Sequence, residues 1–437
     1  MRALCVVVTA KPHRIQDHVA EKTLHSMSRN QSPLATEDQE AVERAALALR
    51  DLAIVQKAVA DAAQAYKDLV QHDPGSESLF ADEFEQLAFT ALERAVNSDP
   101  NYPRIHAVNL AAHLTDGRAV PATKVMHPSP DFIYRMAPVD GAARFALHGR
   151  MPPDGPIAFE VSVLAENGVT QANLSLADLK VSPDGSFMIS IDPNPMAGRP
   201  NHLQSGPATH QLMIRDIFDH IERQRPIALR IDRLDPPTRQ PLAIEELVAR
   251  VTGELTRANL FAAAVVRGAN AETNVLLQPG FLKGDAALLT QAYSMGRFKL
   301  RENQALVITL TLGAAGYAVV PVTNCWGGLG DFPHHRTVIS MGHATPNPDG
   351  SYTLVLAHRD PTAINWVQTG GLSQGYLCIR WTAFKRGDES RPTLEAKLVD
   401  WAELDAALPT GTPRMPQSDR QRQLAQHVKD YTAWEGD

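Results

Sequence analysis

The sequence predicts an α+β protein: two antiparallel β-sandwich lobes in tandem, with an N-terminal helical region, a helical connector between the lobes and a C-terminal helix. Three observations carry this expectation. Two segments with helical periodicity precede residue 100. Short apolar segments separated by Pro, Gly and Asp turns fill most of the chain beyond residue 100. And a set of landmarks occurs twice, in the same order and at nearly the same spacing.

The first helical pattern opens at Thr36-Glu37-Asp38-Gln39, an N-cap followed by acidic first-turn residues. Leu49, Leu52, Val55, Val59 and Ala62 then recur at three- and four-residue steps, which predicts one long amphipathic helix to about Gln71. His72-Asp73-Pro74-Gly75 stops it. A second helix is expected over Phe80–Asn97, closed by Asp99-Pro100. Strands are expected at Phe145–Gly149, Ile157–Leu164, Phe187–Ile191, Gln211–Ile214 and Ile227–Ile231. The proline-rich break at residues 235–241 leads into a helix at Ile244–Arg267, and another helix is expected over Asp285–Met295. Strand texture returns at Phe298–Leu300, Ala305–Thr311, Tyr317–Val322, Thr337–Ser340, Tyr352–Ala357 and Tyr376–Trp381. A polar helix covers about Ser418–Trp434. The expected division is a flexible arm (1–35), a helical region (36–100), a first β-lobe (101–234), a helical connector (235–296), a second β-lobe (297–386) and a tail with a helix (387–437).

The recurrence is specific. Asp184-Gly185-Ser186-Phe187 is matched by Asp349-Gly350-Ser351-Tyr352, Asn201-His202 by Asn365-Trp366, and Ile214-Arg215 by Ile379-Arg380. Spacings between these landmarks agree to within one residue. The expected unit is a hairpin used twice, with Asp-Gly supplying a turn in which glycine takes positive φ.

Composition narrows the function classes. The 437 residues suggest two or three domains, and 44% hydrophobic with 21% charged residues is ordinary for a globular chain. A net charge of −7 without a long basic run argues against nucleic-acid partners. Three cysteines (Cys5, Cys325, Cys378) without a CxxC pair argue against a disulfide framework and a structural zinc site, and fit a reducing, cytoplasmic compartment. No stretch approaches the roughly 20 apolar residues of a membrane span, so no membrane partner is expected. The run Ala3–Ala10 is marginal for an export signal, and can equally be a strand or a tail. A homodimer is compatible with all of this.

Asp140-Gly141, Pro183-Asp184-Gly185, Asn201, Arg215 and Arg225-Pro226 in the first copy resemble the bacterial domain of unknown function numbered twelve-fourteen. Thr323-Asn324, Trp326, Asp360-Pro361, Asn365-Trp366, Thr369-Gly370-Gly371 and Arg380-Trp381 in the second copy do so too. The resemblance runs from about Asp99 to Trp381 and implies a β-sandwich core with helical additions. It implies no activity, cofactor or catalytic residue. His202 stands where a tryptophan is expected after the asparagine, so the two copies need not share a role.

Candidate chemistry concentrates in the second copy. His334, His335, His358 and Asp360 are the candidate acid–base residues, because a carboxylate beside an imidazole orients and tunes it. Trp326 with Asn324, and Trp366 with Asn365, are candidates to line an apolar substrate pocket with one orienting amide each. Arg380, like Arg215, is either half of an ion pair or a carbonyl clamp, or else a bidentate partner for a substrate carboxylate. No metal site is expected there: the HxH pattern with a downstream glutamate is missing, although His343 lies close in sequence. Gly371-Leu-Ser373-Gln-Gly375 matches GxSxG but leads into a strand rather than a helix, which is the wrong context for a nucleophile. Phosphate-loop and dinucleotide fingerprints are missing. The resulting expectation is a cofactor-independent enzyme of lyase, decarboxylase or hydrolase type acting on an apolar or aromatic small molecule. The alternative is a non-catalytic two-lobed protein that binds a ligand or a partner.

Overall fold

The computed structural model describes residues 34–70, 72, 74–125, 127–195, 198–268, 272–281 and 290–433. The expected arm therefore lies outside the described residues, apart from Leu34 and Ala35.

Helices α1 (Glu37–Arg50), α2 (Ala53–Leu69) and α3 (Phe80–Val96) form the N-terminal region. Thr36 caps α1, its hydroxyl accepting the Gln39 N–H at 3.1 Å, and Glu37, Asp38 and Glu40 complement the helix dipole in the first turn. The single long helix expected here is in fact two. Leu52 is extended (φ −77°, ψ 129°), so α2 nucleates afresh. The apolar periodicity hid the break because α1, α2 and Leu52 all face one core, with Leu47, Val55, Phe84, Leu87 and Trp326.

The first lobe contains β1 (His106–Val108), the small hairpin β2 (His113–Thr115) and β3 (Arg118–Val120), β4 (Phe132–Pro138), β5 (Phe145–Arg150), β6 (Ala158–Ala165) and β7 (Thr170–Ser175). It continues with β8 (Ser186–Asp192), β9 (His202–Gln204), β10 (Thr209–Ile217) and β11 (Ala228–Arg233). Helix α4 (Ile244–Gly268) comes next. The second lobe holds β12 (Gly280–Phe281), β13 (Ala292–Lys299), β14 (Gln304–Thr311), β15 (Ala315–Thr323) and β16 (Val338–Ser340). It ends with β17 (Tyr352–Ala357), β18 (Trp366–Gln368), β19 (Gln374–Phe384) and β20 (Thr393–Asp400). The short α5 (Leu404–Ala407) and the longer α6 (Gln417–Thr432) close the described chain.

Each lobe is a five-stranded sheet packed on a four-stranded one. The first pair runs β1-β4-β10-β6-β7 and β11-β5-β8-β9; the second runs β12-β13-β19-β15-β16 and β20-β14-β17-β18. Strand for strand, the two orders are the same. The short fourth-sheet strand is parallel to its neighbour in both lobes (β8 with β9, β17 with β18). At both turns the aspartate Oδ1 accepts the N–H of the serine two residues on at 3.0 Å, with Gly185 at φ 82° and Gly350 at φ 84°. The duplication is thus visible in topology and in local geometry.

Three expectations need correcting. The copied unit is not a hairpin: β8 lies in the four-stranded sheet, whereas the return strand β10 with Arg215 lies in the five-stranded one, so the chain crosses between layers. The second lobe extends from β12 to β20, beyond the expected 297–386. Of the helix expected over Asp285–Met295, residues 285–289 lie outside the described residues, and Ala292 onward is strand β13, hydrogen-bonded to β19.

The five-stranded sheets are the inner layers. Their outward side chains meet between the lobes, where Phe132 and Ile217 pack on Tyr317, Val319 and Val338. Both faces of β4, β6, β15 and β19 are covered, so these strands are buried almost end to end. Strand β20, at the edge of an outer sheet, is mostly exposed instead. Helix α4 is no mere connector: it packs on α2 and α3, with Val251 and Leu255 in their core.

Candidate functional site

Alternation along the inner strands decides what the lobe junction contains. On β10, Leu212 and Ile214 enter the first lobe's core, which sends Met213 and Arg215 to the junction. On β19, Leu377, Ile379 and Trp381 enter the second core, which sends Cys378 and Arg380 the same way. At one end of this junction a cavity of about 700 Å³ opens, roofed by α3 and α4. Leu87, Ala91, Met136, Met213, Phe261 and Met295 make its wall mainly apolar. A cavity of this size, with a few convergent polar groups, is the usual form of a small-molecule site.

The charged groups in the wall are mostly basic. Arg257 is neutralised at the rim by Glu166 (3.3 Å) and Glu254 (3.5 Å). Lys124 is wholly buried and ion-paired with Glu83, and it also donates to the Trp326 carbonyl at 3.1 Å. Arg94 reaches only the Met136 sulfur at 3.2 Å, and its Nε has no hydrogen-bond partner. Arg380, 6% exposed, donates to two backbone carbonyls, those of Cys378 (3.2 Å) and His127. Among the described residues no carboxylate pairs with Arg94 or Arg380.

The duplication explains the solitary arginine. Arg215 and Arg380 hold equivalent places: each is registered with a tyrosine on the neighbouring strand, Tyr134 and Tyr293. On the other side Arg215 is registered with Glu160, but Arg380 with Val319. In the first lobe, burial raises the Glu160 carboxyl above its usual range and the Arg215 charge opposes that rise. Among the described residues the second lobe has no such internal counter-charge, and its arginine is the one that lines the cavity.

Two buried histidines, His106 and His127, line the same wall, and the exposed His210 is a third. Burial, followed by the charge of Arg94, lowers His106 to about 3. Burial, followed by Arg380 and Lys124, lowers His127 to about 3. Both are neutral at pH 7. His127 Nδ1 lies 2.6 Å from the Thr323 hydroxyl, and its Nε2 is buried without a partner. With Nδ1–H donated to Thr323, Nε2 is a proton acceptor.

Of the nine residues singled out in the sequence, Arg380 alone lines this cavity. Trp326 is fully buried among α-helical residues and donates its Nε1–H to Ser76 O at 2.8 Å. Asn324 accepts the Trp326 and Gly328 N–H groups and donates to Glu83 at 2.6 Å. Asn365 bonds the N–H and C=O of Thr345, just as Asn201 bonds those of Lys180 in the first copy. Trp366 donates to Ala357 O and lies under the Arg420 guanidinium. These four are structural contacts. His334 and His335 are exposed, His334 paired with Asp331 at 2.7 Å. His358 bonds Leu300 O and the Thr369 hydroxyl, and Asp360 is paired with Arg420 rather than with His358. The expected His358–Asp360 dyad does not form, because the chain turns after Ala357 and the strand alternation that would align them no longer applies.

The sequence reading missed Arg94, His106 and His127, and, although it expected the helix α4, not the helix's place over the cavity. They come from four segments that meet only because the inner sheets pack together. The one available signal was the arginine copied at positions 215 and 380.

No protein-family model and no curated protein matches the chain. Among solved structures, an uncharacterised protein from Burkholderia cenocepacia has a TM-score of 0.67 at 21% identity, over 82% of this chain and 99% of that one. A protein from Vibrio parahaemolyticus covers 62% of this chain and 90% of its own at 10% identity, with a TM-score of 0.39. The first likeness is one of fold.

Proposed function

We propose that this protein binds an apolar or aromatic small molecule bearing an anionic group, in the cavity between its lobes. One observation carries the reading: among the described residues Arg380, buried in a mainly apolar wall, has no carboxylate partner, where its counterpart Arg215 has Glu160 opposite. A buried cation without a counter-ion is costly, and an incoming carboxylate supplies the missing charge with charge-assisted bonds.

The test is a thermal-shift and calorimetry screen of aromatic and branched aliphatic carboxylic acids against their methyl esters. Acids should raise Tm and esters should not. Arg380→Met keeps the apolar stem and should weaken acid binding by about 2–5 kcal/mol, leaving acids and esters equivalent. Equal stabilisation by an acid and its ester in the unmodified protein would sink the proposal.

A second reading is favoured by His127. A neutral imidazole in the cavity wall, with an Nε2 that no hydrogen bond occupies, can accept a proton from a bound acid, which supports a cofactor-independent lyase- or hydrolase-type enzyme. His127→Asn, chosen because asparagine tolerates the positive φ of 49° at this position, should abolish turnover while retaining binding. Recovery of every tightly bound acid unchanged after prolonged incubation leaves the binding reading alone standing.

A further inference from the structure

We propose that His220, Glu222 and His343 form a binding site for a divalent first-row transition metal, at the other end of β10 from the cavity. Their ligand atoms all lie within 4.8 Å of one another. Glu222 Oε1 is 3.3 Å from His220 Nδ1, and Glu222 Oε2 is 3.4 Å from His343 Nε2. Metal–ligand bonds of about 2.0–2.2 Å in tetrahedral arrangement put neighbouring ligand atoms about 3.3–3.5 Å apart. Both histidine–carboxylate spacings lie in that range.

The second observation is independent of spacing. His220 Nδ1, Glu222 Oε2 and His343 Nε2 are each buried and each without a hydrogen-bond partner. Buried polar atoms are nearly always bonded, so three orphans this close together point to a common partner.

The surroundings are arranged for such a role. His343 Nδ1 lies 2.9 Å from the Ser340 hydroxyl, which leaves Nε2 for the metal and fixes the ring. Asp430 on α6 stands 3.7 Å from His343 Nε2, with its other oxygen held by Gln426 at 2.7 Å. It can bind through a water, and it brings the carboxylate charge at the site to that of a divalent cation. Arg223, on the solvent side, engages only the Oε1 atom of Glu222, at 3.2 Å. Gly342 is the steric condition for the site. A Cβ there would fall 2.2 Å from the Asp219 carbonyl, so only glycine lets the turn carrying His343 lie on the turn carrying His220.

Two imidazoles and one carboxylate suit zinc, ferrous iron or manganese, and leave coordination positions open to water or a ligand. The ligands come from both lobes, and Asp430 adds the C-terminal helix, so a bound ion ties three separate parts of the chain.

The experiment uses the full chain, stripped with EDTA and re-titrated with zinc chloride. Calorimetry and elemental analysis should show one zinc per chain, with a higher Tm than the stripped protein. Cobalt substitution should give visible absorption from a low-coordinate site. Glu222→Gln and His343→Gln should each weaken zinc binding by at least about tenfold, with little change in the metal-free Tm. Ser340→Ala should weaken it less, and His334→Ala, at an exposed histidine, should leave it unchanged. No zinc retained by the unmodified protein, or affinity insensitive to both ligand substitutions, overturns the site. The outcome is separable from the cavity proposal, because carboxylic-acid binding at Arg380 should survive EDTA.

Discussion

Single buried groups set this protein's response to acid. His106 and His127 are held neutral, at about 3, against about 6.5 in an unfolded chain. Between those values the unfolded state takes up protons that the folded state refuses. The two histidines therefore cost nothing above pH 6.5, and stability is lost as pH falls from there towards 3. Each contributes a slope of up to about 1.4 kcal/mol per pH unit inside that window. Denaturant unfolding at several pH values between 7 and 4.5 should show His127→Asn with the shallower decline, by up to that slope, and no change of slope above pH 7. Parallel curves for variant and parent would mean that His127 is protonated in the folded protein.

Packing between elements rests on a few close approaches, and one of them joins the helices to the second lobe. Glu83 on α3 holds both Lys124 and Asn324, and Asn324 in turn shapes the loop after β15 that delivers Trp326 to the helical core. Gly328 sits against this cluster: a Cβ there would come within 1.8 Å of a Glu83 oxygen. Gly328→Ala should push the Glu83 carboxylate off Lys124, leaving a buried ammonium unpaired at a cost of about 3–5 kcal/mol. The expected result is a large fall in Tm, with quenching or shift of Trp326 fluorescence; a variant as stable as the parent would show that the cluster gives way freely.

At the scale of the molecule, the two lobes are one unit. Each inner sheet is covered on both faces, and Phe132, Tyr317 and Val319 between them are as buried as either lobe's own core. Ties across the junction add to this: Arg215 to Thr290, Tyr317 and Tyr431 to Asp131, and Arg380 to the His127 carbonyl. Unfolding one lobe would expose an apolar face of the other, so calorimetry should show a single transition rather than two. Resolved transitions for the two lobes would contradict the coupling. The cavity comes from the same arrangement, since it is the part of the junction that side chains do not fill and that α3 and α4 roof over. Among the described residues, no helix is long and apolar enough to cross a membrane.

What the sequence determined by itself is local. The Asp-Gly turns, the Thr36 cap, the α3 and α6 boundaries and most strands were legible, because each depends on near neighbours: a glycine at positive φ, an N-cap hydroxyl, alternation against one core. The repeat of asparagine and arginine landmarks revealed the duplication before any topology was known. Strand β4 was missed for a physical reason, since Phe132–Pro138 is covered on both faces and shows no alternation. The His220-Ile221-Glu222 spacing was there to read, but its meaning depended on His343, more than a hundred residues away. Only the tertiary structure decided that the inner sheets face each other, that Arg380 meets a cavity while Arg215 stands opposite Glu160, and that His334, His335, His358 and Asp360 have ordinary surface or loop partners. A site assembled from both lobes and two helices depends on which faces pack together. Local spacing cannot encode that, because alternation tells which residues share a face but not what the face will meet.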